Sequence, residues 1–103
     1  MQNIAHSKNN IPVRLTDERW AHITEEHSEL AGRRYEVLET ISNPDKILEG
    51  NLGALIAVRR LEVYKKLLLV VYKELGGDGF VITAFLTSRE RNLERRKIIW
   101  PSH

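Results

Sequence analysis

KLLLVVYKELGGDGFVITAFLT, residues Lys66 to Thr87, decides how this chain folds. Two runs rich in β-branched and aromatic residues flank Gly76-Gly77-Asp78-Gly79, the pattern of a β-hairpin. Both runs are apolar on alternate as well as successive positions, so other elements must cover the pair and make it the core. Polar groups interrupt it at Tyr72, Thr83 and Thr87, followed by Arg89 and Arg91. On the second strand, alternation places Val81, Thr83, Phe85, Thr87 and Arg89 on one side and Phe80, Ile82, Ala84 and Leu86 on the other. The wholly apolar set is expected to pack on helices. The set with hydroxyls and an arginine is expected to face a ligand.

Upstream, residues 1–10 are polar and without period, which predicts a flexible tail, with His6 inert in it. Ile11 to Leu15 alternates around Pro12 and predicts a short edge strand, where a missing donor is tolerated. Thr16 is a good helix N-cap, Asp17 and Glu18 suit the positive end of the helix dipole, and Leu15 and Trp20 have the spacing of a hydrophobic staple. Trp20, Ile23, His27 and Leu30 fall on one face of a helix ended by Gly32, and His22 points about 120° away from it at 100° per residue. His22 is thus the exposed histidine and His27 the one on the packing face. Their i, i+5 spacing differs from the i, i+4 pair of HExxH, and no other His/Asp/Glu cluster has ligand spacing, so no metal and no cofactor are expected.

A second helix is predicted over Arg33 to Ile41, with Val37, Leu38 and Ile41 inward, Arg34 and Glu36 outward, and Pro44 beyond its end. Asp45 to Gly50 and Ala54 to Leu61 read as strands around an Asn51-Leu52-Gly53 turn. Arg59 and Arg60 must face opposite sides of the latter strand, and Arg59 is preferred for the ligand side. After the hairpin, Arg89 to Lys97 (RERNLERRK) holds five positive charges against two negative, as a phosphate-contacting segment does. Ile98 to Trp100 is expected to dock on the core and Pro101 to His103 to be free. The tally is an α+β fold, two N-terminal helices on one face of a four-stranded, mainly antiparallel sheet.

The chain has 103 residues, enough for one domain, expected over residues 11–100. It has no cysteine, which excludes disulfides, thiolate metal sites and cysteine nucleophiles. No apolar run approaches the ~20 residues of a membrane span, and MQNIAHSKNN lacks the apolar stretch of a signal peptide, so a cytoplasmic protein is expected. Charge is uneven: residues 1–49 carry six Lys/Arg and nine Asp/Glu, whereas residues 50–103 carry ten Lys/Arg and five Asp/Glu. A basic half favours a polyanionic partner.

The ligand-facing side of the sheet is expected to gather Tyr72, Thr83, Thr87, Arg59 and Arg89, with a histidine of the first helix at its margin. Cleaving RNA without a metal needs a base for the 2′-hydroxyl proton, an acid for the departing 5′-oxygen and a cation beside the phosphorane. Histidine suits the first two roles and arginine the third. The same surface also fits a non-catalytic module that binds RNA or a protein.

Arg19-Trp20-Ala21-His22-Ile23, His27, Val37-Leu38-Glu39-Thr40-Ile41, Pro44-Asp45 and Glu49-Gly50 form one half of a family pattern. Leu69-Val70-Val71-Tyr72 and Gly79-Phe80-Val81-Ile82-Thr83-Ala84 form the other. Together, over residues 12–100, they resemble small members of the barnase–EndoU–colicin–RelE-like nuclease superfamily. The resemblance implies a metal-independent ribonuclease or toxin, with RNA as substrate and an antitoxin or immunity protein as partner. It implies catalysis by His22 or His27, Tyr72, Thr83 or Thr87, and Arg59 or Arg89. The charge of the late segment adds Arg91, Arg95, Arg96 and Lys97, with Arg59, as the residues expected to hold RNA. The ligand-facing strand set has no glutamate, which argues against a barnase-like glutamate base and for histidine or an arginine-dominated mechanism.

Overall fold

The computed structural model describes residues 3–102. In chain order its elements are β1 (Ile4–His6), β2 (Pro12–Arg14), α1 (Asp17–Glu26), α2 (Arg34–Ser42), β3 (Lys46–Glu49), β4 (Leu55–Leu61), β5 (Lys66–Leu75), β6 (Asp78–Thr87) and β7 (Ile98–Trp100). Short 3-10 turns lie at Ser28–Leu30 and Glu90–Leu93. The class is α+β, but the described residues form one mixed sheet of seven strands, in the order β1-β2-β6-β5-β4-β3-β7, rather than four. The four expected strands are its centre.

The central hairpin closes through Gly76 and Gly77, with Leu75 opposite Asp78 and Gly76 at φ +64°, a conformation open to glycine at no steric cost. Residues 3–10 are not a loose tail. Ala5 is buried, β1 pairs antiparallel with β2, and β2 in turn runs parallel to β6 through Val13↔Gly79 and Arg14↔Phe80. Because β1 lies outside it, β2 is not an edge strand. Residues 1 and 2 of the expected tail, and His103 of the expected free end, lie outside the described residues. The β1–β2 loop is tied down by Ser7 and Asn9, which donate to the Glu74 carboxylate. From that loop the Lys8 ammonium sits 4.9 Å over the Trp100 ring of β7, so one long side chain reaches across to the far edge strand.

Thr16 caps α1 as expected, its hydroxyl accepting from the Arg19 N–H. The helix stops at Glu26, well before Gly32, and His27 takes non-helical dihedrals of −130° and 71°. Arg34, expected outward, is buried at the start of α2. Its guanidinium donates to Asp17 Oδ1 at 2.7 Å and to the Leu15 carbonyl at 2.8 Å, which ties α2 to the root of α1.

Each face of the sheet has its own apolar cluster. Leu68, Val70, Tyr72, Val81 and Ala84 pack with Ile23, Leu30, Val37 and Ile41 on the helix side. Leu48, Ile56, Val58, Leu67, Leu69 and Leu93 form the other, with Val71 and Phe85 against it. Val81 therefore lies on the helix side, contrary to simple alternation. The cause is a β-bulge: Val71 pairs with Thr83 and Tyr72 with Val81, so Ile82 is an extra residue and parity flips across it.

Gly79 sits where three strands crowd. A Cβ there would meet the Lys73 carbonyl oxygen at 2.8 Å and Val13 Cγ2 at 3.2 Å, whereas one on Gly77 would meet nothing. Gly79→Ala is expected to cost about 1–3 kcal/mol in urea unfolding, and Gly77→Ala to stay within about 0.5 kcal/mol.

Candidate functional site

β2 pairs with β6 only as far as Phe80, and beyond it the outer side of β6 is flanked by α1 and the Ser28–Leu30 turn. The bulge at Ile82 falls in this stretch, which re-aims the side chains that follow it. Two clefts meet here.

The first, of about 420 Å³, runs between α1 and β6 and is lined by Arg19, His22, Glu26, His27, Thr83 and Phe85, among others. The second, of about 470 Å³, lies on the face of the sheet away from the helices. Its floor is Ile56, Leu69, Val71 and Phe85, and its rim carries Asn51, Thr87, Arg89, Asn92 and Arg96. Both clefts share Ile82 and Phe85, so they form one groove with Phe85 as the ridge between its halves.

Both histidines line the first cleft, although helical geometry would set them apart. The early end of α1 explains this. His27 leaves the helix, its N–H still donating to the Ile23 carbonyl at 2.7 Å while its own carbonyl accepts from Leu30 at 3.0 Å. These bonds hold a half-buried ring with its centroid 5.7 Å from that of Phe85, tilted by 32°. His27 Nδ1 lies 3.8 Å from Glu29 Oε2. His22 is exposed on the same wall, one helical turn after Arg19.

The remaining expected site residues divide. Thr83, Thr87 and Arg89 reach the groove, and the Thr87 hydroxyl accepts from the Arg89 N–H at 3.0 Å. Arg96 reaches it too, its guanidinium donating to the Glu49 carbonyl at 3.1 Å and to Asn51 Oδ1 at 3.3 Å. Arg91, Arg95 and Lys97 are exposed on the same segment but do not line either cleft.

Tyr72 does not belong with these residues. It is fully buried among the helix-side apolar residues, because it shares parity with Leu68 and Val70 and pairs with Val81 across the bulge. Its hydroxyl has no hydrogen-bond partner among the described residues, and burial first, then the Glu74 charge, pushes its pKa far above the ordinary value. Arg59 is turned away as well. It pairs with Leu68, which puts it on the helix side, where it lies 3.5 Å from Glu39 and donates to the Asn43 carbonyl at 3.2 Å. Arg60 takes the opposite side and lies 3.3 Å from Glu62.

Arg19 was not expected at the site, and Phe85 was expected on the ligand-facing side of β6 but without a role there. Arg19 precedes His22 by three residues on α1, so it faces the same way, and that spacing was the available signal. Among the described residues Arg19, Arg89 and Arg96 form no ion pair with a carboxylate, unlike Arg14, Arg34, Arg59 and Arg60. Three guanidinium groups thus carry a charge that no carboxylate among the described residues neutralises, Arg96 being held by neutral oxygens alone, and can meet an anion along the groove. Among the described residues no three His, Asp or Glu side chains converge as a metal site needs, and no helix is long and apolar enough to cross a membrane. No family model, curated protein or solved structure matches the chain.

Proposed function

We propose that this protein is a metal-independent endoribonuclease acting in the groove along β6. The observation that carries the reading is that His22, His27 and Arg19 line one cleft, which shares the Phe85 ridge with a second cleft rimmed by Arg89 and Arg96. In this reading one histidine takes the proton of an RNA 2′-hydroxyl and the freed oxygen attacks the adjacent phosphorus. The other histidine gives a proton to the departing 5′-oxygen, leaving a 2′,3′-cyclic phosphate and a 5′-hydroxyl. Guanidinium groups stabilise the charge that builds on the phosphorane. Such an enzyme threatens the cell that makes it, so the reading includes a toxin held in check by an antitoxin or immunity protein.

The test is purified protein incubated with total RNA in excess chelator. Fragments ending in 2′,3′-cyclic phosphate are expected, and intact RNA overturns the catalytic reading.

One observation favours a second reading, a non-catalytic RNA-binding module: Tyr72 and Arg59, both expected at the site, point elsewhere. Binding through the arginines predicts a salt dependence common to both readings. Replacing Arg89 and Arg96 together by alanine is expected to flatten the slope of log K against log salt by about 0.7 per arginine. An unchanged slope in fluorescence anisotropy would show that neither arginine meets phosphate.

A further inference from the structure

The larger cleft has an uncommon make-up for a surface that holds a polyanion. Its floor is aliphatic and aromatic, its rim carries two arginines and two asparagines, and among the described residues no carboxylate lines it. A site that met only phosphates would need no apolar floor. Nor would a double helix use one, since a duplex offers its backbone and turns its base faces inward.

An unpaired nucleobase matches each part. Its face is apolar and stacks on an aromatic ring, its edge carries amide-like donors and acceptors that suit Asn51 and Asn92, and its flanking phosphates suit Arg89 and Arg96. Phe85 is the one aromatic residue on that floor. It is half-buried, fixed by packing against Leu69 and its neighbours, and its ring is already held beside His27.

Building on the ribonuclease reading, we infer that the Ile56–Leu69–Phe85 cleft is a base-stacking subsite for one unpaired nucleotide of single-stranded RNA, with Phe85 as the platform. The adjoining cleft with His22 and His27 then receives the neighbouring phosphate, because Phe85 lines both. The groove is selective for single strands, and a nucleotide must leave its helix to enter it.

The test uses three fluorescent 2′-O-methyl probes of equal length, in which blocked 2′-oxygens prevent cleavage. They are a single strand, the same strand annealed to its complement, and a phosphodiester chain without bases. The single strand is expected to bind about tenfold more tightly than either of the others. Phe85→Leu keeps an apolar floor without a π-face, and is expected to lose about tenfold on the single strand and nothing on the baseless chain. Phe85→Tyr keeps the ring and is expected to retain the parent affinity, which separates stacking from a packing defect. If Phe85→Leu binds the single strand as the parent does while Arg89→Ala and Arg96→Ala weaken it, the base subsite is overturned and the RNA site stands. If no probe binds, both the subsite and the RNA reading fall.

Discussion

Replacing His27 by alanine is expected to slow RNA cleavage by about 10²–10⁴-fold, the range for a lost general acid or base. The loss should appear in the rate of cyclic-phosphate formation while the thermal midpoint stays close to that of the parent. His27 is the stronger choice of the two histidines for a geometric reason. Its backbone is bonded on both sides, to Ile23 and to Leu30, and its ring is held 5.7 Å from Phe85 at the junction of the two clefts. A proton-transfer group must hold its place within hydrogen-bond reach of the reacting atom, and a ring so fixed does that better than an exposed one. His22 lies on the outer wall of the same cleft, so His22→Ala is expected to lose less. Parent-like cleavage by His27→Ala would remove His27 from the mechanism and leave the arginine-dominated alternative.

Much of this arrangement was legible in the chain. The central hairpin followed from its apolar runs and paired glycines, and the start of α1 from Thr16, because a cap and a two-glycine turn are local chemistry. The outer strands were not. β1 spans three residues with only Ala5 buried, and the loop after it is held by Glu74, which is distant in sequence. The end of α1 at Glu26 carries no glycine or proline, so the helical count ran on to Gly32 and set the two histidines on different faces.

The assignment of sides on β6 failed at a single residue. Because Ile82 and its neighbours are apolar on both faces, nothing in their composition reveals that one of them is extra, and a one-residue slip exchanges the two faces. Thr83, Phe85 and Thr87 kept their expected face, whereas Val81, beyond the bulge, went to the helices. Tyr72 went there by the alternation of β5 itself, with Leu68 and Val70. Arg59 against Arg60 was a choice between two faces that strand geometry alone could not make. The Glu39 carboxylate on α2 makes it.

Tyr72 separates the structural account from the catalytic expectation most sharply. A catalytic tyrosine would lose activity on conversion to phenylalanine. Buried against the helices, Tyr72→Phe is instead expected to cleave RNA like the parent and to gain about 1 kcal/mol, since it removes a buried hydroxyl that finds no partner among the described residues. In calorimetry that is a rise of roughly 4 °C in Tm. Tyr72→Ala empties the centre of the helix-side core and is expected to cost about 3–5 kcal/mol. The pH dependence adds an independent check. Burial raises the folded-state pKa of this phenol above its ordinary 10.0, so above that pH the unfolded chain loses a proton that the folded chain keeps. Folding is then opposed by about 1.4 kcal/mol for each further pH unit. The contribution is whole below pH 10 and is lost as pH climbs from there toward the folded value, the sign expected of a raised pKa. Tyr72→Phe should abolish this part of the alkaline slope in urea midpoints measured from pH 9 to 11. An unchanged slope, or a phenylalanine variant that no longer cleaves RNA, would return Tyr72 to the solvent-facing site from which its alternation with Leu68 and Val70 along β5 removes it.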